Sequence, residues 1–454
     1  MANQPIPLCH AIRKKPRPPA GLDSPFWDVA ESQPVEERQS LQLHRLRETV
    51  SRVRNVPFYQ SAFREMNITP ESIRTLDDLR RLPFTTKADL RDSPPLGFCA
   101  VPREDIARIH GSTGTTGRQT FVAYTAEDLD LWSDLCARFL YAGGLRKNHL
   151  VQIAFGYGLF TGGFGLHYGV ERVGAAVVPA AAGNTQRHIT LMRDLAVDVL
   201  VCTPSYALSI AETARAMGFD SAQLPIRYGH FGGEPWTQDM RRRIEQELGI
   251  LAFNNYGLSE IIGPGVSGEC HEQNGMHLQE DHFLVECLDP ETLEPVEEGE
   301  VGELVITSLT RRAMPLIRYR TRDLSSLDSR PCPCGRTTRR MSRLTGRTDD
   351  MLIIRGVNVF PSQIEEALLR VEGTAPHYMI EIDRPGSLDE VTVHVEVHPQ
   401  TFSDRMDRMQ ALRDRIDREI HSITGLRVKV VLLGPQTLER FTGKARRVND
   451  HRKL

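Results

Sequence analysis

Long apolar runs are missing from this sequence, and so is a surplus of charge of either sign. No stretch approaches the ~18 uninterrupted apolar residues of a membrane-spanning helix, so none is expected. The formal net charge is −3 although 25% of the residues are charged, so nothing marks nucleic acid or an anionic membrane as a partner. Cysteine is scarce, with 8 in 454 residues, too few for a disulfide scaffold. Cys136 and Cys202 sit singly in apolar surroundings, as core residues do. The opening string MANQPIPLCHAIRKKPRPPAG has a basic patch and prolines without the apolar centre of a secretion signal. Residues 1–35 therefore read as a flexible leader, and a cytoplasmic protein acting on a small molecule is the expectation.

The length suits roughly two to four structural units. Between Glu36 and Met66 the residues Leu41, Leu43, Leu46, Val50 and Val53 recur at helical spacing. Beyond Ile109 short apolar strands alternate with helices, in HLVQIAFGYG, GAAVVPA, DVLVCTPSYALSIAETARAMG and IRYGHFGGEPW, which is the rhythm of an α/β domain with parallel strands. HFLVECLDP and GELVITSL, joined by a turn-rich segment, predict a mainly β subdomain near residues 266–340. From about Thr348 the order strand, helix, alternating strand, long helix, strand predicts a small α+β domain.

The segment HGSTGTTGRQT, residues 110–120, has three glycines and five hydroxyl residues and no apolar anchor. Glycine lets backbone amides approach an anion and hydroxyls add donors, a composition suited to a polyphosphate as well as to a flexible surface loop. It lacks the lysine of the common phosphate-binding loop. Four further strings follow in order: NYGLSEIIGPG (255–265), IRYRTRDLSSL (317–327), LTGRTDDMLIIRGVNVFPSQIEE (344–366) and FTGKARRVNDHRK (441–453).

STGTTGR resembles the signature loop of acyl-adenylate-forming enzymes, and RIHGSTGTTGRQTFVAYT resembles its phenylacetate–coenzyme A ligase version; the other four strings match that family in the same order. The resemblance departs at Arg118-Gln119, where the family usually has Lys-Pro, and at Thr113, where it usually has Ser. It implies a large N-terminal adenylate-forming domain (36–346) and a mobile α+β lid (347–454) hinged at Asp349. Ser112, Thr113, Gly114, Thr115, Thr116, Gly117, Glu234, Tyr256, Asp323 and Arg347 would hold ATP, Tyr256 against the base and Asp323 on the ribose hydroxyls. Glu260 would ligate Mg²⁺, and Lys444 would swing in with Thr116 and Glu260 as the catalytic set. An acid, ATP and coenzyme A would be the substrates, and the family is commonly homodimeric.

The string AFGYGLFTGGFGLHYG (154–169) combines aromatics with glycines, as a flat ring sliding against backbone requires or as a turn beside the core has. By resemblance Phe155, Phe160, Leu166, Gly233, Asn255 and Pro264 line the aryl pocket. Asn255 stands where the family usually has isoleucine, and His230 where an aliphatic residue is common. A polar group in such a wall needs a partner, so the expected acid is a hydroxy- or aminobenzoate. Cys270, His277, Cys332 and Cys334 suit tetrahedral Zn²⁺, with His271 as a rival ligand and unliganded thiols as the alternative. Some relatives carry this set with structural zinc. Transfer of the acyl group to an amine, a carrier protein or a ring-forming step, and a non-catalytic nucleotide-binding role, are the competing readings.

Overall fold

The computed structural model describes residues 24–112, 119–355, 357–385, 389–402, 406–439 and 447–452. Its α-helices among these residues are α1 (Val35–Val53), α2 (Pro57–Met66), α3 (Lys87–Asp92), α4 (Ala126–Ala142), α5 (Thr161–Val173), α6 (Thr185–Asp194), α7 (Pro204–Ala216), α8 (Gln238–Leu248), α9 (Pro361–Arg370) and α10 (Met406–Thr424). None is long and apolar enough to cross a membrane.

Parallel strands Leu251–Leu258, Tyr228–Phe231, Val199–Cys202, Leu150–Ile153 and Ala176–Val178 lie side by side at the centre. Val199–Cys202 is buried at every residue, as a strand between two helical layers must be. Beyond Leu251–Leu258 the same sheet continues, now antiparallel, through Gly263–Glu269, Met276–Leu278, Arg340–Met341 and Leu327–Asp328. The β layer read near 266–340 is therefore divided between two sheets. Its remainder joins a separate four-stranded antiparallel sheet of Phe283–Leu288, Gly302–Ser308, Tyr319–Ser325 and Gly346–Arg347.

One apolar core joins Leu46, Val50 and Val53 of α1 to Trp132, Leu135 and Leu140 of α4 and to Leu304 and Ile306 of the second sheet. Another lies under α6, α7 and α8. A third, from Leu352 to Val430, belongs to the C-terminal residues alone. There the sheet order is Lys429–Leu433, Glu390–Val397, Thr374–Asp383, Val448–Asp450, packed against α9 and α10.

Strands Arg108–Ser112 and Thr120–Tyr124 pair antiparallel, with Ser112 opposite Thr120. They bracket residues 113–118, which lie outside the described residues, as does Lys444. Helix α4 begins at a reciprocal cap between Thr125 and Asp128, and the Asp128 carboxylate also accepts from the Arg312 and Ala313 amides.

Trp132 on α4 is the keystone beneath the site. Its ring stacks on Tyr124 with centroids 5.0 Å apart, and Nε1 donates to the Pro264 carbonyl at 2.7 Å. Two glycines of 154–169, Gly165 and Gly169, are explained by this packing. A Cβ on Gly165 would lie 2.4 Å from the Trp132 ring and one on Gly169 2.4 Å from Cys136, so these two bring α5 against α4 and offer no surface to a ligand. Trp132→Ala should remove about 3–5 kcal/mol of stability, read as a lowered midpoint in denaturant unfolding, with weaker acid binding in the protein that remains folded.

Candidate active site

Strand Tyr319–Ser325 is unusual in its backbone. Arg322 takes φ +67°, and Arg318, just before the strand, takes φ +42°, a left-handed conformation uncommon outside glycine. Their guanidinium groups, with that of Arg320, are structural. Arg318 binds Glu286 at 2.9 Å, Arg320 binds the fully buried Glu303 at 2.6 Å, and Arg322 lies 3.8 Å from Glu303. This strapping presents the next residue, Asp323, inward.

Asp323 is buried and already engaged on both oxygens. The Tyr256 hydroxyl donates to Oδ2 at 2.7 Å, and Arg347 donates to Oδ1 at 3.2 Å from the neighbouring strand. Arg347 continues the chain to Asp349, with bonds of 2.8 and 3.0 Å. Burial opposes the charge of Arg347, but the Asp349 hydrogen bond and the Asp323 charge outweigh it and raise the pKa. Burial and the facing Asp323 charge push the Tyr256 phenol well up, so it stays a donor. Four of the residues singled out in the sequence, Tyr256, Asp323, Arg347 and Asp349, thus form one continuous network.

Glu260 lies nearby, 5% exposed. Its backbone carbonyl accepts from the buried Arg311 at 2.7 Å; Arg311 also donates to Ile261 and to Ala123, tying this turn to the strand that follows residues 113–118. The carboxylate pairs with Lys87 at 3.3 Å. One carboxylate fits Mg²⁺, which takes most of its ligands from phosphate and water, with the Lys87 ammonium competing for the same oxygen.

Lys87 escaped the sequence reading. It opens α3 after a Thr86–Asp89 capping box, the end of a helix where a cation is disfavoured, and that mismatch was the available signal. The preceding Thr85 is locked to the Tyr59 hydroxyl and the Ile317 carbonyl, both at 2.8 Å, which fixes where Lys87 starts. Glu234 also has a local role, its Oε1 accepting from the Ser205 amide at 2.7 Å at the start of α7. The buried hydroxyls of Ser112 and Thr120 have no hydrogen-bond partner among the described residues.

Phe155 and Phe160 form a tilted pair with centroids 6.2 Å apart, and Phe160 is 38% exposed. Gly233, at φ +83°, faces Phe155, where a Cβ would come within 3.6 Å. Leu166 on α5 is buried, and Pro264 is the residue whose carbonyl holds Trp132. Asn255 donates from Nδ2 to the Phe231 carbonyl at 2.8 Å.

His230 is a correction. It was expected to face the acid, but it is paired in register with Phe253, and its ring stacks on that phenyl at 5.4 Å beneath α4. A Cβ on Gly143 of that helix end would touch the imidazole at 2.4 Å. Burial holds its pKa down to about 3, so it is a neutral core residue.

A second cluster lies apart from this network. The donor atoms of Cys270, His277, Cys332 and Cys334 all fall within 4.8 Å of one another, and all four residues are buried. Cys270 Sγ is 3.8 Å from Cys332 Sγ, and Cys334 Sγ is 3.4 Å from His277 Nε2. Hydrogen bonding to Cys270 draws the Cys332 thiol down to about 5 and Cys334 lower still. Thiolates are what a metal binds, and the donor set fits a closed Cys₃His site. His271 pairs with its neighbour Glu272 at 3.1 Å and is outside the cluster.

The family model "AMP-binding enzyme" matches residues 38–310, and "AMP-binding enzyme C-terminal domain" matches 356–452. The phenylacetate-coenzyme A ligase of Thermus thermophilus is 48% identical, covering 93% of this chain and 98% of that protein. The Escherichia coli phenylacetate-coenzyme A ligase is 45% identical, covering 94% and 98%. Among solved structures, 2-hydroxyisobutyryl-CoA ligase in the postadenylation state with 2-HIB-AMP superposes with TM-score 0.90 at 30% identity, covering 96% of this chain and 94% of that one. In the thioesterification state with 2-HIB-AMP and CoA, the same enzyme gives a TM-score of 0.71 over the same shares. The two units here are thus arranged as in the former state. The chain belongs to the phenylacetate–coenzyme A ligase family of AMP-binding enzymes, ligases that use ATP to form an acyl-adenylate and then a coenzyme A thioester.

Proposed function

We propose that the acid this ligase activates is aromatic and carries a hydroxyl or amino group, as a hydroxy- or aminobenzoate does. The observation that carries this reading is Asn255. Its Nδ2 is spent on the Phe231 carbonyl, which fixes the amide plane and turns Oδ1 toward the Gly232 backbone, 2.7 Å from where a Cβ there would lie. With Nδ2 engaged, the carboxamide leaves a substrate only its oxygen, an acceptor, which favours an acid that donates a hydrogen bond. Phe155 and Phe160 supply the flat apolar faces. His230, being a core residue, lends no support.

In the first half-reaction the substrate carboxylate attacks the α-phosphorus of ATP and pyrophosphate leaves with the bridging electron pair. Two anions must meet, so charge stabilisation dominates. Asp323 would accept the ribose hydroxyls, the Tyr256 ring would lie against the base, and Arg347 would reach the nucleotide. The amides and hydroxyls of Ser112 to Thr116, with Lys444, would face the phosphates. Mg²⁺ on Glu260 would supply further neutralisation. In the second half-reaction the coenzyme A thiol attacks the acyl carbonyl, AMP leaves, and Asp349 would be the pivot that lets the C-terminal unit change sides. Zn²⁺ on Cys270, His277, Cys332 and Cys334 would be structural, pinning the 268–277 turn to the 332–335 loop.

Two outcomes are expected. Pyrophosphate release across a panel of benzoates and phenylacetates should favour hydroxy- or amino-substituted acids by about tenfold or more in kcat/KM, and Asn255→Ile should erase the preference. Plain phenylacetate or benzoate outperforming every substituted acid would contradict the reading. Elemental analysis should find about one zinc per chain, and Cys334→Ser should lose it and lower the thermal midpoint; metal-free protein purified without chelator would remove the zinc assignment.

A further inference from the structure

Residues 24–33 run between α4 and the loop that carries Cys332 and Cys334. On the α4 side the Tyr141 hydroxyl donates to the Ser24 carbonyl at 3.0 Å, Trp27 Nε1 donates to Asp134 at 2.9 Å, and Arg138 donates to Asp28 at 2.9 Å. Ala142, at the end of the same helix, packs with Cys270, Cys332 and Cys334.

Glu31 ties this segment to the cysteine loop. Its Oε1 accepts from the Trp27 and Asp28 amides at 2.7 and 2.9 Å, completing the reciprocal cap of the short 3₁₀ turn Val29–Ser32. Its Oε2 takes Arg336 Nε at 2.6 Å, and both side chains are buried. Breaking a buried pair of this kind leaves an uncompensated charge.

Past Cys334 the chain turns at Gly335, φ +85°, where a Cβ would come within 3.2 Å of the Phe26 ring. The three residues that follow bond in two directions. Arg336 holds Glu31 and reaches the Pro25 carbonyl at 3.3 Å. Thr337 gives its amide to the Glu31 carbonyl at 3.0 Å and its hydroxyl to the Gln33 carbonyl at 2.6 Å, and Arg38 of α1 donates to both its oxygens at 3.0 Å. Thr338 turns the other way, its Oγ1 lying 3.2 Å from Nδ1 of His277, whose Nε2 faces Cys334. A ligating histidine is oriented by what its second ring nitrogen holds. The path from Glu31 therefore ends on two of the four donors, on Cys334 through the chain and on His277 through Thr338.

We propose that residues 24–33 are a strap that closes the metal centre, with Glu31 as its positioning residue: through Arg336 and Thr337 it holds the Cys332–Cys334 loop and Thr338 in ligating geometry and so slows the loss of zinc. This rests on the zinc assignment above and not on which acid is activated.

The test is zinc release from full-length, zinc-loaded protein into excess EDTA, followed as metal left on the desalted protein at a temperature well below the unfolding midpoint. Glu31→Gln should shorten the half-time about tenfold or more, in the range that outer partners of metal ligands contribute. Arg336→Lys should fall between the wild type and Glu31→Gln, since lysine keeps the charge but not the fork. Thr338→Val should shorten the half-time about threefold or more, because His277 Nδ1 loses its partner. Ile416→Ala, which opens a cavity in the separate C-terminal core, lowers stability without touching the strap and should leave the half-time within about twofold of the wild type. Thermal midpoints establish that each variant is folded, and if Glu31→Gln fails to fold, Arg336→Lys carries the same comparison. Wild-type protein that holds no zinc removes the metal assignment and the strap's role with it. Zinc-loaded wild type whose release is unchanged in the strap variants, or is hastened as much by Ile416→Ala, overturns the strap alone.

Discussion

A single buried carboxylate organises the site. Asp323 sits where the central sheet, the second sheet and the lead into the C-terminal unit come together, and it is bound by Tyr256 from the first and Arg347 from the last. A carboxylate taken from water is tolerated only when its oxygens are satisfied. Here the partners are a phenol and a guanidinium from two different strands. Satisfying Asp323 therefore fixes the plane of the Tyr256 ring and the direction of Arg347 before any ligand arrives, and such preorganisation costs nothing when the reaction begins.

The same network governs how the two units are joined. Arg347 pairs with both Asp349 and Asp350 just before the core that begins at Leu352. These pairs tie the start of the short connection to the second sheet. The C-terminal unit meets α7 and α8 mainly through polar pairs, His377 with Glu212 and Arg370 with Asp239, beside the apolar contact of Leu369. An interface of that kind separates readily, in contrast to the apolar core that unites α1, α4 and the second sheet.

Much of this was legible in the sequence. The alternation of strands and helices gave the parallel sheet, and the tail read as a separate α+β unit because its helices and strands carry their own apolar periodicity. Tyr256, Asp323, Arg347 and Asp349 could be named because they stand in short strings of fixed order, and the structure gathers all four. The failures have a common cause. His230 reads in sequence as a polar residue flanking a pocket, but side-chain direction depends on register: His230 lies opposite Phe253 and turns under α4. Gly165 and Gly169 of α5 answer to Trp132 and Cys136, residues some thirty positions away in sequence and invisible to local pattern. Lys87 was hidden for the same reason, since its meaning comes from Glu260 across the fold.

If Asp323 anchors the ribose, its loss must cost discrimination of the ribose hydroxyls. Calorimetric titration of the wild-type protein and of Asp323→Asn with AMP and with its 2′,3′-dideoxy analogue measures this directly. The wild type should bind AMP about tenfold or more tightly than the analogue, and the variant should scarcely distinguish the two. Equal affinity of the wild type for both nucleotides would contradict it.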